Sequence, residues 1–256
     1  RHPERGLLPP ALFIPLLAQH PLAIRVGEWV IQAALDQLAR WSAAGLTTSV
    51  SVNVDCSQLH HPHFADWLEQ QLPAHPGVAP HQLELEILES GAITDMARVS
   101  ALITRIEGVG VTFALDDFGT GFSSMTFLKH LKAHTVKIDQ SFVRTMLADV
   151  EQALIIESIL SLARNLGRHA LAEGVETELH GSLLLELGCE LGQGYAVSRP
   201  MPADDVPQWA ANWNLPPSWQ NAPPFAPEGL PVVFVELAHR AVFNALQAYL
   251  QGEREA

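Results

Sequence analysis

The sequence predicts an α/β protein folded as a modified TIM-like (β/α)8 barrel, and three observations carry that expectation. Short apolar runs of strand length alternate with longer stretches whose apolar residues recur every three or four positions. The strand-like runs carry polar or ionisable side chains late on one face. Those side chains are mostly acids and amides, whereas a solvated sheet face usually mixes its charges. In a barrel of parallel strands such a face points inward, and its C-terminal end opens at the catalytic mouth. Ordinary half-exposed strands would show the same alternation, and the acid-rich content is what favours the barrel.

Taken in order, the first helix is expected over Ile24–Arg40, ahead of a strand over Thr48–Val54. There Val50, Val52 and Val54 share one face, and Ser49, Ser51 and Asn53 the other. The strand Leu83–Leu88 sets Glu84 and Glu86 against Leu83, Leu85 and Ile87. A helix over Asp95–Ile106 follows, with Thr94 and Asp95 available as caps. The strand Val111–Asp116 presents Thr112, Ala114 and Asp116 on the polar side, and Thr135–Asp139 presents Thr135, Lys137 and Asp139. A helix over Glu151–Leu166, closed by Gly167, leads to a strand over His169–Glu173 that ends in Glu173. A helix over Thr177–Leu187 precedes the last strand, Leu191–Tyr195, which carries Gln193. Six strands fall short of eight, and the expectation is that two more lie before Arg1. The barrel domain is expected over 1–207. Residues 208–256 read as an irregular arm, rich in Trp, Pro and Asn, and an amphipathic helix over Val235–Gln251.

Bulk properties narrow the function. The formal net charge of −13 over 256 residues argues against a basic face that grips long nucleic acid. A small phosphodiester remains compatible, provided divalent cations sit between it and the protein's carboxylates. Cys56 and Cys189 lack CxxC spacing, so neither a disulfide scaffold nor a zinc site is expected, and a reducing cytoplasm is. No apolar run reaches the ~18–20 residues that span a bilayer, so this segment is expected to make no membrane contact. The tract His60-His61-Pro62-His63 is expected to be a surface loop, since proline interrupts it and no carboxylate pattern accompanies it.

Asp116-Asp117-Phe118-Gly119-Thr120-Gly121 is the strongest local signal. Adjacent carboxylates on a regular strand point to opposite faces. Glycines after them allow a sharp turn that swings Asp117 toward the site of Asp116. One carboxylate can then bridge two cations ~3.5–4 Å apart while the other holds the second. Taken alone, the tetrapeptide is equally compatible with a plain turn. It is neither a P-loop nor a dinucleotide fingerprint.

The ordered set Val50-Ser51-Val52-Asn53, Leu83-Glu84-Leu85-Glu86-Ile87-Leu88-Glu89-Ser90, Asp116–Gly121, Val136-Lys137-Ile138-Asp139, Ala172-Glu173-Gly174-Val175-Glu176-Thr177 and Gln193-Gly194-Tyr195, with Phe13-Ile14-Pro15-Leu16 before it, resembles the EAL-domain family from Arg1 to about Pro207. That resemblance implies a bacterial phosphodiesterase that hydrolyses cyclic di-GMP to linear pGpG with two Mg²⁺ or Mn²⁺ ions. It implies Asn53, Glu86 and Asp116 as ligands of a first metal, with Asp116 bridging to a second held by Asp117 and Glu173. Lys137 matches the lysine beside the attacking water; an inward lysine paired with Asp139 or Glu173 for structural reasons is the alternative. Glu89 and Glu176 match supports of the loop that contains Gly119 and Gly121, although exposed glutamates near turns are common. Gln193 matches a contact near the metals or the guanine, and Asp139 shares the inward face. The resemblance also places a Glu-Ala-Leu segment just before Arg1, whose glutamate would complete the first metal site. Leu88 stands where a threonine is usual, and Phe122 where a tyrosine is. Homodimers paired through the region after the Asp-Asp-Phe-Gly loop are expected, as are upstream sensory or signalling domains and a cytoplasmic setting, including the cytoplasmic part of a membrane-anchored sensor. The other reading is a catalytically weak domain that binds cyclic di-GMP and relays the signal to a partner.

Overall fold

The computed structural model describes residues 4–6, 8–9, 12–17, 20–88, 95–121 and 128–220. After a single turn of helix, α1 (Ile14–Leu17), the chain runs α2 (Leu22–Ala43), β1 (Val50–Val54), α3 (Cys56–Leu59), α4 (Phe64–Gln71), β2 (Leu83–Leu88), α5 (Met96–Glu107), β3 (Thr112–Phe118), β4 (Thr135–Ile138), α6 (Gln140–Thr145), α7 (Val150–Asn165), β5 (His169–Glu173), α8 (Glu178–Glu186), β6 (Leu191–Gln193), α9 (Val206–Asn212) and α10 (Pro217–Gln220). The six strands form one parallel sheet in the order β1-β2-β3-β4-β5-β6, each neighbour hydrogen-bonded to the next in sequence. The sheet curls into a half-barrel with helices on its outer side, the TIM-like α/β architecture that the strand pattern predicts.

The apolar strand faces supply the core. Leu83, Leu85, Ile87, Phe113, Val136 and Ile138 are buried beneath Ile31, Leu35 and Leu38 of α2, Leu68 of α4, Ile103 of α5 and Ile156 and Leu160 of α7. Each such side chain contributes about 1.5–3 kcal/mol on leaving water. The opposite faces turn inward, and there Glu84, Glu86, Asp116, Thr135 and Lys137 are buried together.

The helix boundaries follow local chemistry. Asp95 accepts from Arg98 N at the start of α5, Asp149 from Glu151 N at α7 and Thr177 from His180 N at α8. Gly167, at φ 66°, follows the end of α7 as its position predicts. Thr94 lies outside the described residues. The short helices α3, α4 and α6 have too few turns for a periodic pattern; Asp55 caps α3 and Asp139 caps α6, whereas His63 at the start of α4 makes no capping bond.

Between residues 208 and 220, where composition suggests an irregular arm, the chain instead completes α9 and forms α10. The Trp219 indole packs on Gly181, where a β-carbon would stand 2.2 Å from the ring, and its Nε1 donates to Glu178 O at 2.8 Å. Trp213 Nε1 donates to Val197 O at 3.2 Å. The helix expected over 235–251 lies outside the described residues. Trp219→Ala is expected to cost about 3 kcal/mol, lowering Tm by roughly 6–10 °C in a domain of this size. A thermal melt within 2 °C of the parent (about half a kcal/mol) would show that α10 is not a structural part of the domain.

Candidate metal centre

Strand register staggers the inward side chains around the C-terminal mouth. Asn53 pairs with Glu86 across β1 and β2, but Asp116 on β3 pairs with Leu88, two residues beyond Glu86. Lys137 pairs with Leu171 across β4 and β5, two residues before Glu173, which pairs with Gln193 across β5 and β6.

β3 solves the problem of two adjacent carboxylates differently from the sequence expectation. Leu115 pairs with Val136 but Phe118 pairs with Ile138, so β3 holds one extra residue in between. Asp117 sits in that bulge at φ 54°, a non-glycine residue in the left-handed region. The swing that brings Asp117 inward therefore occurs within the strand, not in the glycine turn after it. Aspartate is among the few side chains that tolerate this conformation. Gly119, at φ 100°, turns the chain next, close against Phe142.

At the centre of the mouth is Lys137, only 5% exposed. Its Nζ lies 2.6 Å from Glu173 Oε1, 2.8 Å from Glu86 Oε1 and 3.0 Å from Asp116 Oδ1. Of the two structural partners open to Lys137 in the sequence, Glu173 is the one it meets. Ligand oxygens of Asp116, Asp117 and Glu173 lie within 4.8 Å of one another, the grouping among the described residues that could hold a metal ion. Asp139 caps α6 through Ser141 N and also hydrogen-bonds toward Asp117.

The charges do not balance. Three carboxylates surround one ammonium, with Asp117 a fourth nearby. Asp116 Oδ1 is buried and lacks a hydrogen-bond donor, although Lys137 lies 3.0 Å away; that contact is ionic rather than a directed hydrogen bond. A buried, donorless carboxylate oxygen amid excess negative charge fits a cation, and an all-oxygen donor set suits a hard one such as Mg²⁺ or Mn²⁺.

Proton affinities record the same imbalance. Burial, with Asp116 and Glu173 beside it, raises the Glu86 carboxyl to about 7 despite Lys137. Burial, then Asp116 and Asp139, raises Asp117 to about 6. For Lys137, burial pulls downward, but Glu86, Glu173 and Asp116 outweigh it and hold the ammonium well above its ordinary range. The folded state thus binds the two carboxyl protons more tightly than the unfolded chain does, whose values sit near 4.5 and 3.8. Their contribution to stability is full below those values and is lost as pH rises through about 6 for Asp117 and about 7 for Glu86. Metal-free protein is expected to lose thermal stability between about pH 4 and pH 7, and millimolar Mn²⁺ to remove most of that loss. A flat, metal-independent profile of Tm against pH would contradict the assignment.

The remaining sequence candidates spread outward. Asn53 is exposed at the mouth end of β1, and Gln193 is half-buried opposite Glu173. Glu176 pairs with Arg144 at 2.8 Å, so its described partner is that arginine. Gly121 is exposed, and Glu89 and Phe122 lie outside the described residues. His61 and His63 make an edge-on ring contact, and His63 faces Asp66 at 3.8 Å; neither histidine belongs to the grouping of ligand atoms among the described residues. Cys189 is buried, its thiol raised to about 12 by that burial, and Cys56 is half-buried.

A cleft opens beside Glu173, lined by Gln193, Tyr195, Arg144, Arg199 and Trp209. The Arg199 guanidinium lies 4.4 Å from the Tyr195 ring centroid. Two arginines and aromatic rings next to an acidic cluster suit an anion that also carries flat rings. Arg144, Arg199 and Trp209 escaped the reading of strand faces because they come from helices and loops; the Arg-Pro that follows Gln193-Gly194-Tyr195 was the available signal. Among the described residues no helix is long and apolar enough to cross a membrane.

Known proteins resemble the chain over most of its length. A model of the EAL domain matches residues 1–200. The chain is 36% identical over 206 residues to the bifunctional diguanylate cyclase/cyclic di-GMP phosphodiesterase MucR of Pseudomonas aeruginosa, covering 80% of this chain and 30% of that protein. It is 34% identical over 209 residues to the cyclic di-GMP phosphodiesterase PA2567 of the same species, covering 82% and 35%. It thus spans about a third of the length of these relatives. Among solved structures, the MucR phosphodiesterase in complex with c-di-GMP superposes with a TM-score of 0.75 at 36% identity, covering 80% of this chain and 83% of that one. The EAL enzyme Bd1971, bound to cAMP and cyclic di-GMP, does so at 0.76 and 28%, covering 81% and 57%.

Proposed function

Since the chain belongs to the EAL domain family, we propose that it is a metal-dependent phosphodiesterase that hydrolyses cyclic di-GMP to linear pGpG. The observation that carries this reading is the convergence of Asp116, Asp117 and Glu173 around the buried Lys137. In it Asn53, Glu86 and Asp116 would hold a first Mg²⁺ or Mn²⁺, and Asp116, Asp117 and Glu173 would hold a second. When bound, such ions neutralise the phosphate and make a water acidic enough to act as nucleophile near neutral pH.

The protein's own groups do the rest. Lys137, fixed by Glu86 and Glu173, has ammonium protons to orient the water and to stabilise charge on the phosphoryl oxygens. Water attacks phosphorus in line and gives up a proton as its oxygen bonds to phosphorus; the bond to the 3′ oxygen breaks, and that oxygen takes up a proton, so the two transfers balance. Arg144 and Arg199 draw the dinucleotide into the cleft, where Gln193 can hydrogen-bond a guanine edge. Asp139 and Glu176 act one step back, through Asp117 and Arg144. We assign the same domain to a larger bacterial signalling protein that works in the cytoplasm as a homodimer, paired through the region after the Asp116–Gly121 loop.

The test is direct. Protein incubated with cyclic di-GMP and Mg²⁺ or Mn²⁺, followed by chromatography, is expected to yield pGpG and to stop on chelation. Tight binding without product would move the reading to a cyclic di-GMP receptor; neither binding nor product would remove both.

A further inference from the structure

One turn of the pleat below the metal level lies a buried contact that the reaction does not use. Glu84 is 4% exposed. One of its carboxyl oxygens accepts from Ser51 Oγ at 2.9 Å and the other from Thr135 Oγ1 at 2.7 Å. Ser51 is on β1, Glu84 on β2 and Thr135 on β4, so the contact passes over β3 altogether. Strands two apart in a sheet are separated by about 9.5 Å. The gap is open because the inward residue of β3 that pairs with both Glu86 and Thr135 is Ala114, fully buried and too small to fill it.

The three members share one relation to the site. Ser51 precedes Asn53 by two residues, Glu84 precedes Glu86 by two and Thr135 precedes Lys137 by two. Two residues is the repeat of a strand face, so each member sits directly beneath a side chain of the candidate metal centre on its own strand. We propose that Glu84 is a positioning residue: by tying β1 and β4 to β2 across the strand of Asp116, it sets the separation of Asn53, Glu86 and Lys137. The inference rests on the assignment of those three residues to the metal site.

The chemistry of the tie dictates the variants. Glu84→Leu removes both acceptors and leaves the buried Thr135 hydroxyl and the half-buried Ser51 hydroxyl without that partner. Glu84→Gln keeps one acceptor and adds a donor, and because a hydroxyl can donate or accept, both contacts can re-form. Thr135→Val removes one contact with little change of shape. Each variant is compared with the parent by circular dichroism and thermal melt, by Mn²⁺ titration read from the electron paramagnetic resonance of the free ion, and by kcat and KM with cyclic di-GMP.

Glu84→Leu is expected to weaken Mn²⁺ about tenfold and to lower kcat about tenfold, the effect usual for a partner behind the ligands, with KM within about twofold. Thr135→Val is expected to move in the same direction by about threefold, and Glu84→Gln to stay within about threefold of the parent. Folded Glu84→Leu and Thr135→Val proteins that bind Mn²⁺ as the parent does would overturn the proposal. If Glu84→Leu fails to fold, Thr135→Val and Ser51→Ala decide it by the same titration. If the parent makes no pGpG while the variants still lose Mn²⁺, the phosphodiesterase reading falls and the positioning role stands.

Discussion

Replacing Lys137 by methionine is expected to cut hydrolysis of cyclic di-GMP by about a thousandfold and, in metal-free protein, to destabilise the fold by about 3–5 kcal/mol. The first effect follows from removing the positive group nearest the reacting atoms. The second follows from the ion pairs. Glu86, Asp116 and Glu173 would face one another with no cation between them, two of them with side chains no more than 11% exposed. Part of that penalty is relieved by proton uptake, because burial already holds Glu86 near 7. A divalent cation relieves it too, so the gap in Tm between chelator and Mn²⁺ should widen in the variant. Steady-state rates and paired melts measure both. A variant that keeps more than a tenth of the parent rate (a loss of less than about 1.4 kcal/mol) would remove Lys137 from the chemistry.

Glu173→Gln is expected to lower turnover by a comparable factor, about 10²–10³, while leaving metal-free protein as stable as the parent or more so. The side chain keeps its volume, and Lys137 keeps Glu86 and Asp116 as partners. Its loss reduces the excess of negative charge in the cluster, so folding no longer has to bring as many like charges together. Binding of Mn²⁺ should weaken about 10–100-fold, since the cluster of ligand oxygens loses a carboxylate. The two variants therefore share a loss of rate but differ in the sign of their effect on the apo fold. If both destabilise metal-free protein equally, the cluster is a structural salt-bridge network and the metal assignment fails.

Much of this was legible in the sequence, for one reason. A parallel strand alternates its side chains strictly, so Glu84, Glu86, Asp116, Lys137 and Glu173 announce an inward face without knowledge of their partners. What alternation cannot show is register between strands. The meeting of Lys137 with residues from β2, β3 and β5 depends on it, as does the reach of Glu84 over Ala114. The bulge at Asp117 was hidden for the same cause, since an extra residue in β3 is visible only against its pairing with β4. The arginines of the cleft were hidden because helices and loops, which carry no period-two signal, deliver them.

The left-handed backbone at Asp117 has a consequence for how far this position can change. In a library carrying all twenty amino acids there, two filters act in series. Selection for folded, abundant protein should retain aspartate, asparagine and glycine, which tolerate that conformation, and deplete valine, isoleucine and threonine. Selection for activity should then keep aspartate alone among the three, because only it supplies a carboxylate. The neutral neighbours of the working residue are thus few, and the shortest route by which this site drifts toward a silent receptor is a single step to asparagine.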